Sequence, residues 1–371
     1  MQKKRISLGL MSGTSGDGVD ASIIRTDGIK EYESIKDKYF EYDSDIYNDI
    51  HNLKEKIQKL EHLEIFKKEI SNLERKITIF HAEIIKELNL TDETVIGFHG
   101  QTIYHNPKEK ISKQLGNEKL LNQLTKKDIV FNFRMNDILN GGEGAPLTPI
   151  FHHLLAFQKK IKLPVCFLNI GGISNITIVK NYKNLSELFS KDIGPGNCLI
   201  DSWVRKNSDK KFDLDGQLAL SGTRNEIIFE QAQELYMNRN KKKLSFDTTD
   251  FDISFVRGLN FEDGVATLTD FTASIIGEEL NLSLKNLKAE RKEILLCGGG
   301  RKNKVLIKKI KENISSGYNL KLVDEYKIDG DFVESQAFAF LAVRSILKLP
   351  ISFPSTTGCK TPSIGGDLIK N

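Results

Sequence analysis

The sequence predicts an α/β fold in two domains, on three observations. At 371 residues with 39% hydrophobic, the chain can bury more core than one domain usually holds. Several apolar runs of strand length end in polar, glycine-containing loops, with an amphipathic stretch of helical spacing among them. One arrangement, a strand, a Gly/Ser-rich tip and a returning strand, opens both halves, which suggests an internal duplication.

Taken in order, residues 6–10 are an apolar strand, 12–18 a tip rich in Gly, Ser and Asp, and 19–24 the return. From about 44 to 88, Leu, Ile and Phe recur among Lys and Glu at the spacing of amphipathic helices laid over a sheet. Residues 95–97 and 129–133 read as short buried strands, ending in Phe98-His99-Gly100-Gln101-Thr102 and Arg134-Met135-Asn136-Asp137. Loops in that position commonly floor a ligand crevice. The glycine cluster 141–146 reads as a domain junction, followed by a helix through His152 and Leu155. Residues 165–170 leave on the second hairpin, Gly171-Gly172-Ile173-Ser174-Asn175 makes its tip, and 176–179 return. Asp192-Ile193-Gly194-Pro195-Gly196-Asn197 is a rigid turn, followed by a helix containing Asp201 and Trp203. A last apolar strand, 293–297, runs into Gly298-Gly299-Gly300 and a Lys-rich helix over about 303–313. The Pro/Gly/Thr-rich tail, 352–367, reads as an ordered loop.

Several function classes lose support. No uncharged apolar run approaches a membrane span, and the start lacks a signal-peptide cleavage pattern, so the expected compartment is the cytoplasm with no membrane partner. Cys166, Cys198, Cys297 and Cys359 are scattered without CxxC spacing, which argues against a disulfide framework or a zinc site. The net charge of +4 comes from 54 basic residues interleaved with 50 acidic ones, the pattern of a solvated surface. Basic runs at 126–127, 241–243 and 308–309 are short and lack interleaved aromatics, so no nucleic-acid partner is expected.

Glycine tips let backbone N–H groups approach a polyphosphate, because no Cβ intervenes. Ser12, Thr14 and Ser15 add hydroxyls, and Asp17 or Asp20 could hold Mg²⁺ directly or through water. One tip alone favours a plain Asp-Gly hairpin turn; two tips and a third glycine loop favour nucleotide binding. Walker and G-x-G-x-x-G patterns are absent. Asp192, ahead of its Gly-Pro turn, can serve as a general base or simply cap the turn. His99, Arg134, Asp137 and Glu334 suit sugar hydroxyls and an acidic substituent, though a residue of each kind taken singly is more often structural. Gly298, Gly299 and Gly300 can seat adenosine or act as a flexible strand-to-helix turn.

The residues 9–15 (Gly-Leu-Met-Ser-Gly-Thr-Ser) and 17–20 (Asp-Gly-Val-Asp) resemble the opening motif of the anhydro-N-acetylmuramic acid kinases. That family's further blocks are resembled in order by His99-Gly100-Gln101-Thr102, Phe133-Arg134, Gly144-Ala145-Pro146-Leu147, Asn169-Ile170-Gly171-Gly172-Ile173-Ser174-Asn175, Gly194-Pro195-Gly196-Asn197, Asp215-Gly216, Cys297-Gly298-Gly299-Gly300 and Val333-Glu334. These matches span nearly the whole chain. Four positions depart from the pattern: Gly16 for a larger apolar residue, Asn132 for Asp, Glu143 for Gln and Ile193 for Thr. None removes Asp192.

The resemblance implies a two-lobed actin/hexokinase-like, ribonuclease H-like ATPase fold with duplicated mixed sheets flanked by helices. The expected division is 1–133 with 350–371 in an N-terminal lobe, and 134–349 in a C-terminal lobe. It implies ATP and Mg²⁺ as cofactors, 1,6-anhydro-N-acetylmuramic acid as substrate, and a homodimer. The positions matching the nucleotide-binding loops are Gly13, Thr14, Ser15, Gly16, Asp17, Gly18, Val19, Asp20, Gly171, Gly172, Ser174, Asn175 and Gly298 to Gly300, with Asp17 and Asp20 at the metal. Substrate binding falls to His99, Gln101, Arg134, Asp137 and Glu334, and the base to Asp192. In the implied reaction water attacks the anomeric carbon, the anhydro bridge opens and O6 takes the phosphoryl group, giving N-acetylmuramic acid 6-phosphate for murein recycling. An ordinary sugar kinase of the same superfamily would instead phosphorylate a free hydroxyl, and an Hsp70- or actin-like ATPase would turn over ATP without a sugar.

Overall fold

A computed structural model describes residues 3–237, 245–247, 250–287 and 292–371; the basic run 241–243 lies outside them. The chain divides into two compact units, Met1–Ile161 with Asn181–Phe189 and Phe332–Asn371, and Lys162–Lys180 with Ser190–Asp331.

In the first unit, β1 (Arg5–Ser12), β2 (Gly18–Thr26), β3 (Tyr32–Glu41), β4 (Val95–Asn106), β5 (Ile111–Leu115) and β6 (Ile129–Phe131) are joined by a terminal strand, Asp367–Ile369. They line up as the terminal strand, β6, β4, β1, β2, β3, with β5 pairing β4. The hairpin pairs β1–β2 and β2–β3 are antiparallel, whereas β1–β4 and β4–β6 are parallel.

Both faces of this sheet are covered. On one face the helix Val333–Ile346 packs against β1, β2 and β4 so tightly that glycine is obligatory beneath it. A Cβ on Gly9 would lie 1.9 Å from the Ser335 carbonyl oxygen, and one on Gly97 2.4 Å from that of Phe338. Elsewhere in the same unit, the helices Ser44–Lys56 and Lys67–Glu87 put Ile46, Ile50, Leu53, Ile70, Leu73 and Ile77 into one core with Leu8, Leu10 and Ile96. The first of these helices starts where the Asp43 side chain accepts from the Ile46 N–H, capping an otherwise orphaned donor.

The second unit holds β7 (Val165–Ile170), β8 (Ile173–Val179), β9 (Phe189–Pro195), β10 (Lys292–Cys297) and β11 (Tyr318–Leu322), in the order β11-β10-β7-β8-β9. The pair β7–β8 is antiparallel, and β7–β10 and β10–β11 are parallel. This order repeats the β6-β4-β1-β2-β3 run of the first sheet, with the same senses at the β6–β4, β4–β1 and β1–β2 pairs and their counterparts, so the duplication suspected from the two hairpins extends to the mixed sheets. The fold class is the duplicated, helix-flanked ribonuclease H-like one. Beside this second sheet, the helix Phe261–Leu284 is buried along most of its length. Its Gly264 admits the Trp203 indole, which a Cβ would meet at 2.5 Å.

The division differs from the expected one. Residues 134–161 and 332–349 fall in the first unit, because the helix Val333–Ile346 lies on the first sheet and Pro149–Gln158 packs on that helix. The glycine cluster 141–146 is not a junction. It is stitched inside the first unit, with Glu143 N–H donating to Thr357 O at 2.8 Å and Lys360 N–H to Asn140 O at 3.0 Å. The tail is ordered as expected: Pro354–Thr357 is one helical turn, and the terminal strand now takes the label β12 (Asp367–Ile369), antiparallel to β6. All four cysteines are free thiols. Among the described residues no helix is long and apolar enough to cross a membrane, and no cluster of three or more His, Cys, Asp or Glu could hold a metal ion.

Candidate active site

The tip between β1 and β2 is a tight loop braced from several sides. Gly16 N–H donates to Gly13 O at 3.2 Å with Gly16 at φ +65°, a left-handed conformation that favours glycine. Lys54 Nζ donates to Thr14 O at 2.7 Å, Gln101 Nε2 to Gly13 O at 2.9 Å, and Ser15 Oγ to Asp17 Oδ1 at 2.6 Å. Ser12 and Tyr42 share a hydroxyl–hydroxyl bond of 2.8 Å. Thr14 is exposed, and Gly13, Ser15, Asp17 and Asp20 are half-buried.

Not every expected member of this loop can face a ligand. Val19 is fully buried in the core, so only its main chain is available. Gly18 is required by packing, since a Cβ there would lie 2.4 Å from Phe40 O. Gly16 departs from the family pattern because the space is taken: its Cβ would sit 2.9 Å from Ile50 Cγ2. Gly13 has open space, with nothing nearer than Ser15 Oγ at 3.9 Å.

Within β4 and just after β6, one cluster joins three sequence-predicted residues, His99, Arg134 and Asp137. His99 is buried, and its Nδ1–H donates to Gly100 O at 2.7 Å. That fixes Nε2 as an acceptor, which receives Arg134 Nη2 at 2.8 Å and Nε at 3.3 Å. Burial, reinforced by the Arg134 cation, holds the imidazole well below its ordinary 6.5, so it is neutral. Arg134 Nη1 also donates to Gly144 O at 2.8 Å. Both ring nitrogens of His99 are therefore occupied. In this arrangement His99 orients the Arg134 guanidinium.

Asp137 is engaged by the protein in the same way. It is 1% exposed, and its carboxylate accepts from Gly144 N–H at 2.8 Å, from Thr357 Oγ1–H at 2.7 Å and from the Ser352 hydroxyl. Gln101 is buried, with its amide on Gly13 and its Oε1 lacking a hydrogen-bond partner among the described residues. Glu334 is half-buried in the first turn of the helix Val333–Ile346, where the helix dipole favours a carboxylate. Asn132 adopts φ +56°, a conformation Asn tolerates, and bonds Asp367 Oδ2 at 2.6 Å.

In the second unit, Asp192 sits on β9, 8% exposed, with Oδ2 accepting from the Phe246 N–H at 2.8 Å. Its neighbour Lys191 alternates to the opposite face and pairs with Glu279 at 2.7 Å. Ile193, where the family has Thr, is buried. Beyond it, Gly194 takes φ +147° against Ile275, and the turn is clamped by the β7–β8 tip. Gly172 O accepts from Gly196 N–H at 2.9 Å, and Gly171 O from Asn197 N–H at 2.8 Å. Ser174, expected at the nucleotide, has its side chain fully buried, where it donates to Pro195 O at 3.2 Å and braces this turn. Asn175 Oδ1 is buried and has no hydrogen-bond partner among the described residues.

Gly298 to Gly300 follow β10. Gly298, at φ +78°, donates its N–H to Gly330 O at 3.0 Å and leaves no room for a Cβ, which would meet Asn169 Oδ1 at 2.4 Å. A Cβ on Gly300 would lie 2.3 Å from Ile170 Cγ2, whereas one on Gly299 would meet nothing within 4 Å. Sequence reasoning missed Arg301, which ties this loop down through Gly298 O, Asp324 and Asp331. It also missed Lys54 and Tyr42, since nothing local in the sequence connects them to a tip about thirty to forty residues away.

The chain matches a family model described as anhydro-N-acetylmuramic acid kinase over residues 5–371. It is similar to the anhydro-N-acetylmuramic acid kinase of Pelagibacter ubique (strain HTCC1062), 55% identical over 375 residues and covering 100% of both chains. That of Agrobacterium fabrum (strain C58 / ATCC 33970) is 33% identical over 380 residues, again covering 100% of both. Among solved structures, the Acidaminococcus fermentans (R)-2-hydroxyglutaryl-CoA dehydratase component A aligns with 92% of this chain and 99% of its own, at 14% identity and TM-score 0.45.

Proposed function

The chain belongs to the anhydro-N-acetylmuramic acid kinase family, and from that premise we propose how its own residues carry the reaction. It is a phosphotransferase that opens 1,6-anhydro-N-acetylmuramic acid with water and places the γ-phosphoryl of ATP on O6, giving N-acetylmuramic acid 6-phosphate and ADP. Asp192 is the general base. It takes a proton from water as the water oxygen bonds to C1; the C1–O6 bond breaks, and O6 takes the phosphoryl group in place of a proton. This joins the base half of inverting glycoside cleavage to phosphoryl transfer.

The observation that carries the assignment is the support of Asp192. A carboxylate on a strand, held by the Phe246 N–H and followed by a turn locked to Gly171 and Gly172, is fixed in place, as a base that must meet one water requires. Arg134, oriented by His99 and Gly144, is assigned to the lactyl carboxylate of the sugar, with Glu334 and the unpartnered Oε1 of Gln101 as hydroxyl acceptors.

ATP is assigned to the three glycine loops, where Gly13, Gly171 and Gly299 leave main chain open to phosphate or base. Asp17 and Asp20, half-buried carboxylates beside the first tip, are hard oxygen donors of the kind Mg²⁺ takes and would hold it there. Bound Mg²⁺ supplies neutralisation of phosphate charge. We place the reaction in cytoplasmic murein recycling and assign the chain to a homodimer. Product analysis tests the reading: with ATP and the anhydro sugar, the wild type forms one equivalent of phosphosugar per ADP and Asp192→Asn loses both. ADP formed at the same rate without sugar would overturn it.

A further inference from the structure

The C-terminal segment and Arg134 meet at one buried carboxylate. Asp137 lies three residues after Arg134, in the short helix Met135–Leu139 that follows β6. Its Oδ1 accepts from the hydroxyls of Ser352 and Thr357, and its Oδ2 accepts from the Gly144 N–H at 2.8 Å. Gly142 is wrapped over the same carboxylate, where a Cβ would be 2.2 Å from Oδ2. The carbonyl of Gly144, whose N–H is held in this way, is the acceptor for Arg134 Nη1 at 2.8 Å.

We infer that Asp137 is a positioning residue for Arg134: it relays the grip of Ser352 and Thr357 through Gly144, so that the C-terminal segment sets where the guanidinium points. The inference rests on the reading of Arg134 as a substrate contact. A guanidinium has a planar fork, and fixing that plane needs two supports that are not collinear. His99 Nε2 holds the Nη2–Nε edge and Gly144 O holds Nη1. The first support stands on β4, whereas the second belongs to an irregular loop at Gly144, φ +70°, whose N–H is held by Asp137 and whose preceding Glu143 N–H is held by Thr357 O of the tail. Nothing in the sequence signals this, because Ser352 and Thr357 are 215 and 220 residues from Asp137.

A double-mutant cycle on the full-length enzyme tests it, reading KM for the anhydro sugar and for ATP separately, with thermal midpoint as a folding control. Asp137→Asn keeps the shape but turns an acceptor into a donor; the expected result is about a tenfold rise in sugar KM with ATP KM unchanged, the size of one charge-assisted hydrogen bond. In an Arg134→Ala background the same change should have no further effect on sugar kcat/KM. Should Asp137→Asn not fold, Thr357→Val removes one donor and is put through the same cycle, with a few-fold effect expected. If Arg134→Ala alone leaves sugar KM unmoved, the substrate role of Arg134 fails and the relay with it. If Arg134→Ala matters but the Asp137 or Thr357 effect multiplies on top of it, or raises both KM values alike, the relay alone is overturned.

Discussion

The imidazole of His99 accepts from the guanidinium of Arg134 at 2.8 Å, and the two residues stand 35 positions apart. The bond is available only because Nδ1–H is committed to Gly100 O and the ring is kept neutral by burial. An ordinary histidine would be partly charged near neutral pH and would repel Arg134 instead of holding it.

Replacing that acceptor should tell in substrate binding. His99→Leu is expected to raise sugar KM about tenfold, the loss of one charge-assisted bond, while His99→Gln, whose amide oxygen can still accept, recovers most of it. Steady-state kinetics with the sugar varied at saturating ATP checks this.

The glycine loops give a steric test of the nucleotide assignment. Gly13→Ala, Gly171→Ala and Gly299→Ala introduce a methyl with no clash in the protein itself, so thermal midpoints should stay close to wild type. If ATP lies against these main chains, each should raise ATP KM. Gly196→Ala is the contrast: its Cβ would fall 2.2 Å from Gly171 O, so the turn after Asp192 must move, and both stability and kcat should drop.

Stability should depend on acid. Burial lowers His81 to about 4 and His152 to about 3, and holds His99 well below 6.5. Each is neutral when folded and takes a proton near 6.5 when unfolded, so their contribution is complete above that pH and is lost as pH falls below it. The slope is at most about 1.4 kcal/mol per pH unit for each histidine. His81 packs edge-on against Phe98 and its Nε2 has no hydrogen-bond partner among the described residues, so His81→Leu should flatten the acid limb by one such step. Denaturant melts between pH 7 and pH 4.5 measure it.

Metal dependence follows from Asp17 and Asp20. Chelation should abolish turnover, and Asp20→Asn should raise the Mg²⁺ concentration needed for half-maximal rate about tenfold or more, with sugar KM little changed. An unchanged requirement would remove Asp20 from the metal.

What the sequence made legible follows from where contrast exists. The hairpins β1–β2 and β7–β8 were readable because apolar runs stop abruptly at glycine tips. The helices Phe261–Leu284 and Val333–Ile346 were not, because they are buried on nearly all sides and lack the polar stripe that reveals a helical period. β3 was hidden by its mostly exposed, charged sequence, and β9 because Lys191, Asp192 and Gly194-Pro195 interrupt the apolar pattern. Within the site, residue types pointed to Arg134 and Asp192. The protein partners of His99, Asp137 and Ser174 come from tertiary contacts that no local pattern shows; Ser174, for one, bonds Pro195 twenty-one residues on.

The base assignment and the ring opening are tested together by turnover of 1,6-anhydro-N-acetylmuramic acid with ATP in ¹⁸O-water, followed by mass spectrometry of the sugar product. The account predicts one ¹⁸O at C1 of the 6-phosphate made by the wild type, and a rate about 10²- to 10⁴-fold lower for Asp192→Asn, the usual worth of a general base. An unlabelled phosphosugar, or labelled product formed at an undiminished rate by Asp192→Asn, would contradict it.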